Sequence, residues 1–250
     1  MTFARTVVLV AATWALAAGV LPRVIAAPLY TFSVLGTLGG TGSSAYGINN
    51  AGQVVGYSWT SGNVAQHATL WSVGGGATDL GTLPSKTNSY ALGINDTGQI
   101  VGYSYDTTGD TASYATLWNG TTPTALGGGI AYAINSSGQI AGYTAAGSYY
   151  HASFWNAAPP IDLGTLGGQA SNAFAINNVG QVVGVSSLIQ NTVSPLHATL
   201  WSGNTRTDLG TLAGTNGVAH SAGYGINDAG QVVGISSTTA NLGAPVHATL

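Results

Sequence analysis

The sequence predicts an all-β repeat protein, most simply a β-propeller of about five four-stranded blades. Three observations lead there. One phrase is written five times: YGINNAGQVVGYS at 46–58, ALGINDTGQIVGYS at 91–104, YAINSSGQIAGYT at 132–144, FAINNVGQVVGVS at 174–186 and YGINDAGQVVGIS at 224–236. Its marker isoleucines, Ile48, Ile94, Ile134, Ile176 and Ile226, step by 46, 40, 42 and 50 residues, a period that marks a supersecondary unit packed on its neighbours. Each period holds four short strand-like segments, and nothing after residue 26 carries sustained helical periodicity. The alternatives are a parallel β-solenoid, whose turns run to roughly 20–30 residues, and a truncated repeat array. A tight hairpin in every period favours antiparallel blades.

Taken in order, residues 1–26 predict a secretory signal peptide. Arg5 precedes a nearly continuous apolar run at 7–21, and small residues close the segment at Ala26. That run is shorter than the roughly 20 residues that span a bilayer. Residues 27–250 form the β-repeat domain of about five repeats, with no second long apolar segment and so no expected transmembrane segment. Four phrases recur in fixed order: LGTL, INxxGQ, VVGYS and HATLW. INxxGQ reads as a type I turn closed by a left-handed glycine at Gly52, Gly98, Gly138, Gly180 and Gly230. Glycines inside the following strand (Gly56, Gly102, Gly142, Gly184, Gly234) predict a close backbone approach. An orphan LGTL at 35–38 and a final HATL at 247–250 would complete a fifth repeat if both joined one sheet; otherwise the array is cut short.

Composition narrows function. Charged residues make up 4% of the chain, and beyond the leader only Lys86 and Arg206 stand against seven aspartates. No basic patch exists, so nucleic-acid binding has no electrostatic basis. There is no cysteine, which rules out disulfides and thiolate metal sites. Hydrophobic residues reach 45%, with 12 Tyr and 6 Trp, enough to fill a large core without disulfides.

The phrases GINxxGQVVGYS, HATLW and DLGTLGG together resemble the HAF family of extracellular repeats, over residues 34–250. The name-giving His-Ala-Phe triplet is replaced here by HAT at His67, His197 and His247, HAS at His151 and YAT at Tyr114. The resemblance implies an exported bacterial-type protein, secreted or held at the cell surface, with no established enzymatic role.

The repeated polar residues read as structural. His67, His151, His197 and His247 predict an imidazole hydrogen-bonded within each repeat, because Tyr114 takes the position once and ligates zinc poorly. Asp79, Asp162 and Asp208 predict acceptors for backbone N–H groups at a turn. Gln53 and its four counterparts predict amide bonds to the neighbouring repeat, and Trp71, Trp118, Trp155 and Trp201 predict core. The patterns for a nucleophile elbow, a phosphate loop and a zinc protease are absent, as is any Glu. No enzyme, cofactor or metal site is expected. Asp106 and Asp110 are the one close carboxylate pair, on a loop; a lyase or hydrolase using Asp106 or His220 is the weakest reading.

Connections alternate between the two ends of an antiparallel repeat. The INxxGQ turns share one end, and the variable loops after VVGYS and LGTL share the other. The candidate ligand-binding residues therefore lie at the variable end: Trp59, Tyr105, Asp106, Asp110, Tyr149, Tyr150 and His220, with Lys86 beside them. Aromatics with few charges suit a glycan or another surface protein better than a polyanion. The expectation is an exported binding or adhesion-type scaffold, the alternative a purely structural extracellular array.

Overall fold

The computed structural model describes residues 33–74, 76–109, 112–156, 159–189, 195–213, 219–239 and 246–250. The expected leader and Asp110 lie outside them. The chain divides into Met1–Val34 and Leu35–Leu250, and the second unit carries the fold. It is all-β and antiparallel, with no α-helix among the described residues.

The first repeat is a meander of β1 (Gly39–Ile48), β2 (Val54–Thr60), β3 (Gln66–Trp71) and β4 (Ala77–Asp79), paired in that order. The second and third share one seven-stranded sheet: β5 (Asn88–Ile94), β6 (Gln99–Tyr105), β7 (Tyr114–Asn119), β8 (Thr122–Ile134), β9 (Ile140–Ala146), β10 (Tyr149–Trp155) and β11 (Ile161–Asp162). The fourth holds β12 (Ser171–Ile176), β13 (Val182–Ser187), β14 (Leu196–Ser202) and β15 (Thr205–Asp208). The fifth has three strands, β16 (Ser221–Ile226), β17 (Val232–Ser237) and β18 (Val246–Thr249). None of these sheets closes on itself.

Two expectations need correction. Five separate four-stranded sheets are not formed, because β8 is both the last strand of the second repeat and the first of the third. It pairs with β7 through Gly128 and with β9 from Gly129. This joint spans the shortest step in the sequence, so no connecting loop remains; Gly127 and Gly129, both at positive φ, carry the bend. The orphan segment does not join β18: residues 35–37 lie outside any strand, and Leu38 makes a single bridge to Thr60.

The hairpin turns form as the sequence predicts. In the first, Gly52 sits at φ 74° and its amide donates to the Asn49 carbonyl at 3.0 Å. The Asn49 side-chain oxygen accepts from the Ala51 and Gln53 amides. Its amide nitrogen donates to Gln53 Oε1 at 2.8 Å and to the Asn95 carbonyl of the next repeat at 3.1 Å. Asn95 bonds Asn135, Asn135 bonds Asn177 and Asn177 bonds Asn227 in the same way. The asparagine, and not the glutamine, therefore crosses between repeats; the glutamine orients it.

The interior glycines have an intrasheet cause. Every first strand carries a bulge, so Ala45 opposes Gly56 while Gly47 opposes Val55, leaving Tyr46 as the extra residue. The same shift repeats at Leu92, Tyr132, Phe174 and Tyr224. The bulged strand pushes a carbonyl toward its partner. A β-carbon at Gly102 would overlap the Tyr90 carbonyl oxygen, and one at Gly56 that of Ser44.

The core sits in the joints. Trp118 packs with Val55, Ala68 and Leu80 of the repeat before it and Ala91 and Ile100 of its own. Trp155 and Trp201 repeat the arrangement one joint along each time. All three are buried. The alanine of HATLW, at Ala68, Ala115 and Ala152, is the small partner that leaves room for the incoming indole. Serines bridge the first, third and fourth joints: Ser89 Oγ accepts the Ala68 amide and donates to the Gly81 carbonyl. Ser171 and Ser221 do likewise. The last joint holds an open cleft of about 410 Å³ lined by Ala198, Leu200, Leu209, Gly223 and Val232 among others.

Two outcomes follow for stability. Gly102→Ala should lower unfolding free energy by about 3 kcal/mol or more, since the partner strand must give way. Gly128→Ala, whose β-carbon would meet open space, should change it by less than about 1 kcal/mol; urea titration compares them. Asn135→Asp should cost about 3 kcal/mol, because it sets an acceptor against the Gln139 and Asn177 oxygens. Asn227→Asp should cost clearly less, since that donor reaches Gln231 alone and is exposed.

Candidate functional site

The repeated histidines and aspartates pair with each other. His67 Nδ1 lies 2.9 Å from Asp79 Oδ2, His151 Nδ1 2.8 Å from Asp162 Oδ2, and His197 Nδ1 2.9 Å from Asp208 Oδ1. Each aspartate also accepts the amide of the glycine two residues on. Where Tyr114 replaces the histidine, Ala125 stands where the aspartate would pair in register. In the four repeats that hold both strands the pair is kept or lost as a unit, which marks it as a brace between the third and fourth strands. No group of metal-binding side chains occurs among the described residues.

At the INxxGQ end one cavity of about 270 Å³ is lined by Ile48, Ile94, Ile134 and Ile176 with the polar residues that follow them. The turns of four successive repeats thus meet in one space. Asn95 and Asn135, which fit a glycosylation pattern in sequence, are buried in the asparagine ladder; Asn119 is exposed.

The residues expected at the variable end are placed as follows. Trp59 is the penultimate residue of β2, half-buried, opposite Gln66 of β3. Tyr105 ends β6, and its hydroxyl donates to Gln66 Oε1 at 3.2 Å, as does that of Tyr90 at 2.5 Å. Asp106 accepts from the amide and hydroxyl of Thr87, both at 2.8 Å. Lys86 Nζ lies 3.4 Å from Asp106 Oδ2 and 4.6 Å from the centre of the Tyr114 ring. The Thr87 hydroxyl, together with its amide and the Lys86 ammonium, holds the Asp106 carboxyl below the usual carboxylate range. Asp106 is thus spent on pinning the loop that follows Tyr105. Tyr149 opens β10, and Tyr150 beside it is exposed, its ring 4.8 Å from that of Tyr143. His220 Nδ1 accepts the Leu196 amide at 3.1 Å, so the ring buttresses a loop. Asp106 and His220 have separate partners, and no nucleophile–base pair joins them.

The sequence reading missed a larger aromatic set one layer inward. Tyr57 and Tyr90 meet across the first joint at 4.3 Å, and Tyr90 stacks on Tyr103 at 5.2 Å. Tyr103 touches Tyr105 at 5.6 Å. Tyr132 contacts Tyr143 in its own repeat and Phe174 in the next, and Phe174 contacts Tyr224. Burial, with the hydroxyls of Tyr105, Tyr46, Tyr132 and Tyr57 nearby, pushes Tyr103 up to about 12. Burial also raises Tyr90 and Tyr143, and the other groups that perturb them are tyrosines. A signal was present: the bulge position is aromatic in four of five copies, and VVGY ends in tyrosine in three.

The chain matches no family model, and no curated protein matches it.

The His67–Asp79 brace makes stability depend on pH. The hydrogen bond to Asp79 raises His67, against the lowering effect of burial. Burial pushes Asp79 up, but the His67 hydrogen bond, the Gly81 amide and the imidazolium charge hold it lower. The histidine's contribution is full below 6.5 and is lost as pH climbs through its raised value. The aspartate's is full above 3.8 and is lost as pH falls through its lowered value. Asp79→Asn should therefore lose most thermal stability between those limits and little at pH 9. A difference from wild type that stays constant with pH would overturn this.

Proposed function

We propose that this chain is an exported extracellular or cell-surface scaffold of the HAF-repeat kind, built as a propeller, that binds an uncharged ligand at the end away from the INxxGQ turns. The propeller arrangement is supported by the cavity that the turns of four repeats line together. In a linear stack, sheets lie about 10 Å apart, so the first and fourth turns would be separated by about 30 Å and would share no such space. Export is supported by the apolar run at 7–21, and the absence of cysteine and of Glu argues against the commoner catalytic arrangements.

One observation carries the binding reading: an aromatic surface runs from Tyr105 and Tyr150 at the strand ends to Tyr103 and Tyr143 inside. Tyrosine supplies large contact area with a polar tip at low entropic cost. Lys86 and Asp106, the charged pair beside Tyr105, neutralise each other.

The test is binding of the purified protein to an array of glycans and extracellular proteins. Trp59→Ala, Tyr105→Ala and Tyr149→Ala should each weaken binding by about threefold to tenfold. Binding that survives all three unchanged would remove the site assignment, and no binding to any component would favour the purely structural array.

A further inference from the structure

The tyrosine set is placed by two separate devices. The bulge on each first strand turns Tyr46, Tyr132, Phe174 and Tyr224 out of the normal alternation. The second strands then add Tyr57, Tyr103 and Tyr143, one from each of the first three repeats. Ring contacts cross the first, third and fourth joints at 4.3, 5.7 and 5.6 Å, so the surface extends over several repeats rather than filling one. A set whose only task was core filling would hide its hydroxyls or pair them. Tyr90 and Tyr105 are paired, on Gln66. Among the described residues, the hydroxyls of Tyr57, Tyr103, Tyr132 and Tyr143 have no protein partner, yet none is fully buried. Each therefore reaches solvent-accessible space, as both donor and acceptor.

Apolar ring faces beside unpaired hydroxyls, with Lys86 at the entrance already matched by Asp106, select a ligand that is itself apolar on its faces, hydroxylated at its edges and uncharged. An anionic ligand is disfavoured there: the one cation named at the entrance is matched by Asp106, and burial already disfavours negative charge at Tyr103 and Tyr143. We propose that the tyrosines on the inner two strands, Tyr57, Tyr103, Tyr132 and Tyr143, are a binding site for a neutral oligosaccharide, entered past Tyr105 and Tyr150. This rests on the binding-scaffold reading and narrows it to one ligand class and one set of residues.

The experiment titrates the purified protein with cellohexaose, maltohexaose and chitohexaose, with hexagalacturonate as the acidic control, by calorimetry. At least one neutral hexamer should bind, and hexagalacturonate should bind at least about tenfold more weakly. Tyr103→Ala and Tyr143→Ala should weaken binding by about tenfold or more. Tyr103→Phe and Tyr143→Phe keep the ring and the packing, and should still weaken it by about threefold through loss of the hydroxyl. Those variants also separate a binding effect from a folding one, since their thermal midpoints should stay near wild type. Three results would overturn the proposal: no neutral hexamer binds; the acidic hexamer binds equally well; or binding falls with Trp59→Ala or Tyr149→Ala while the inner variants bind as wild type. The last leaves the scaffold reading standing. The first leaves that reading to the protein half of the array.

Discussion

One side-chain amide organises this molecule. The asparagine of INxxGQ uses its oxygen to hold its own turn and its nitrogen to hold the next repeat. It is buried at Asn95, Asn135 and Asn177, where unmet hydrogen-bonding capacity would be expensive. All its bonds are met only if the turn has formed, the glutamine is in place and the next repeat's asparagine carbonyl is in reach. Local and tertiary structure are thereby tied to one group, which is the consistency a well-specified fold needs.

Around that ladder the repeats divide labour between large and small residues. The indole from one repeat rests on alanines of the last, and serine hydroxyls satisfy backbone groups left at the seam. Histidine–aspartate braces hold the short fourth strands to the third. The bulged first strand imposes glycine on its partner and, in four of five repeats, reorients an aromatic side chain. Tight strand pairing and the outward turn of aromatic side chains thus arise from the same distortion, on neighbouring strands.

Much of this was legible in the sequence because local chemistry is decisive there. Asn-x-x-Gly admits few conformations, and it formed the expected turn in every copy. The interior glycines announced a close approach, but not its source: an intrasheet bulge depends on pairing register, which a glycine in isolation does not encode. The roles of Gln53 and Asn49 were exchanged for a similar reason, since two adjacent amides have the same chemistry and only geometry decides which spans the gap. The continuous β8 was hidden because a weak LGTL copy reads the same whether a loop follows it or not. At the variable end the sequence singles out Tyr105 and Tyr150, as aromatics near loops. It passes over Tyr103 and Tyr143, because a tyrosine inside a repeated strand phrase reads as core until its neighbouring rings are known.

The asparagine ladder links turn to turn, and each link is indifferent to how much chain lies between. Its bonds have nearly the same length across steps of 46, 40, 42 and 50 residues. Loop length at the opposite end is therefore uncoupled from the spacing of the repeats. A lineage carrying this architecture can lengthen, shorten or replace those loops, or duplicate a whole repeat, without renegotiating the contacts that align the sheets. The invariant phrase is what leaves the rest of the sequence free to diverge.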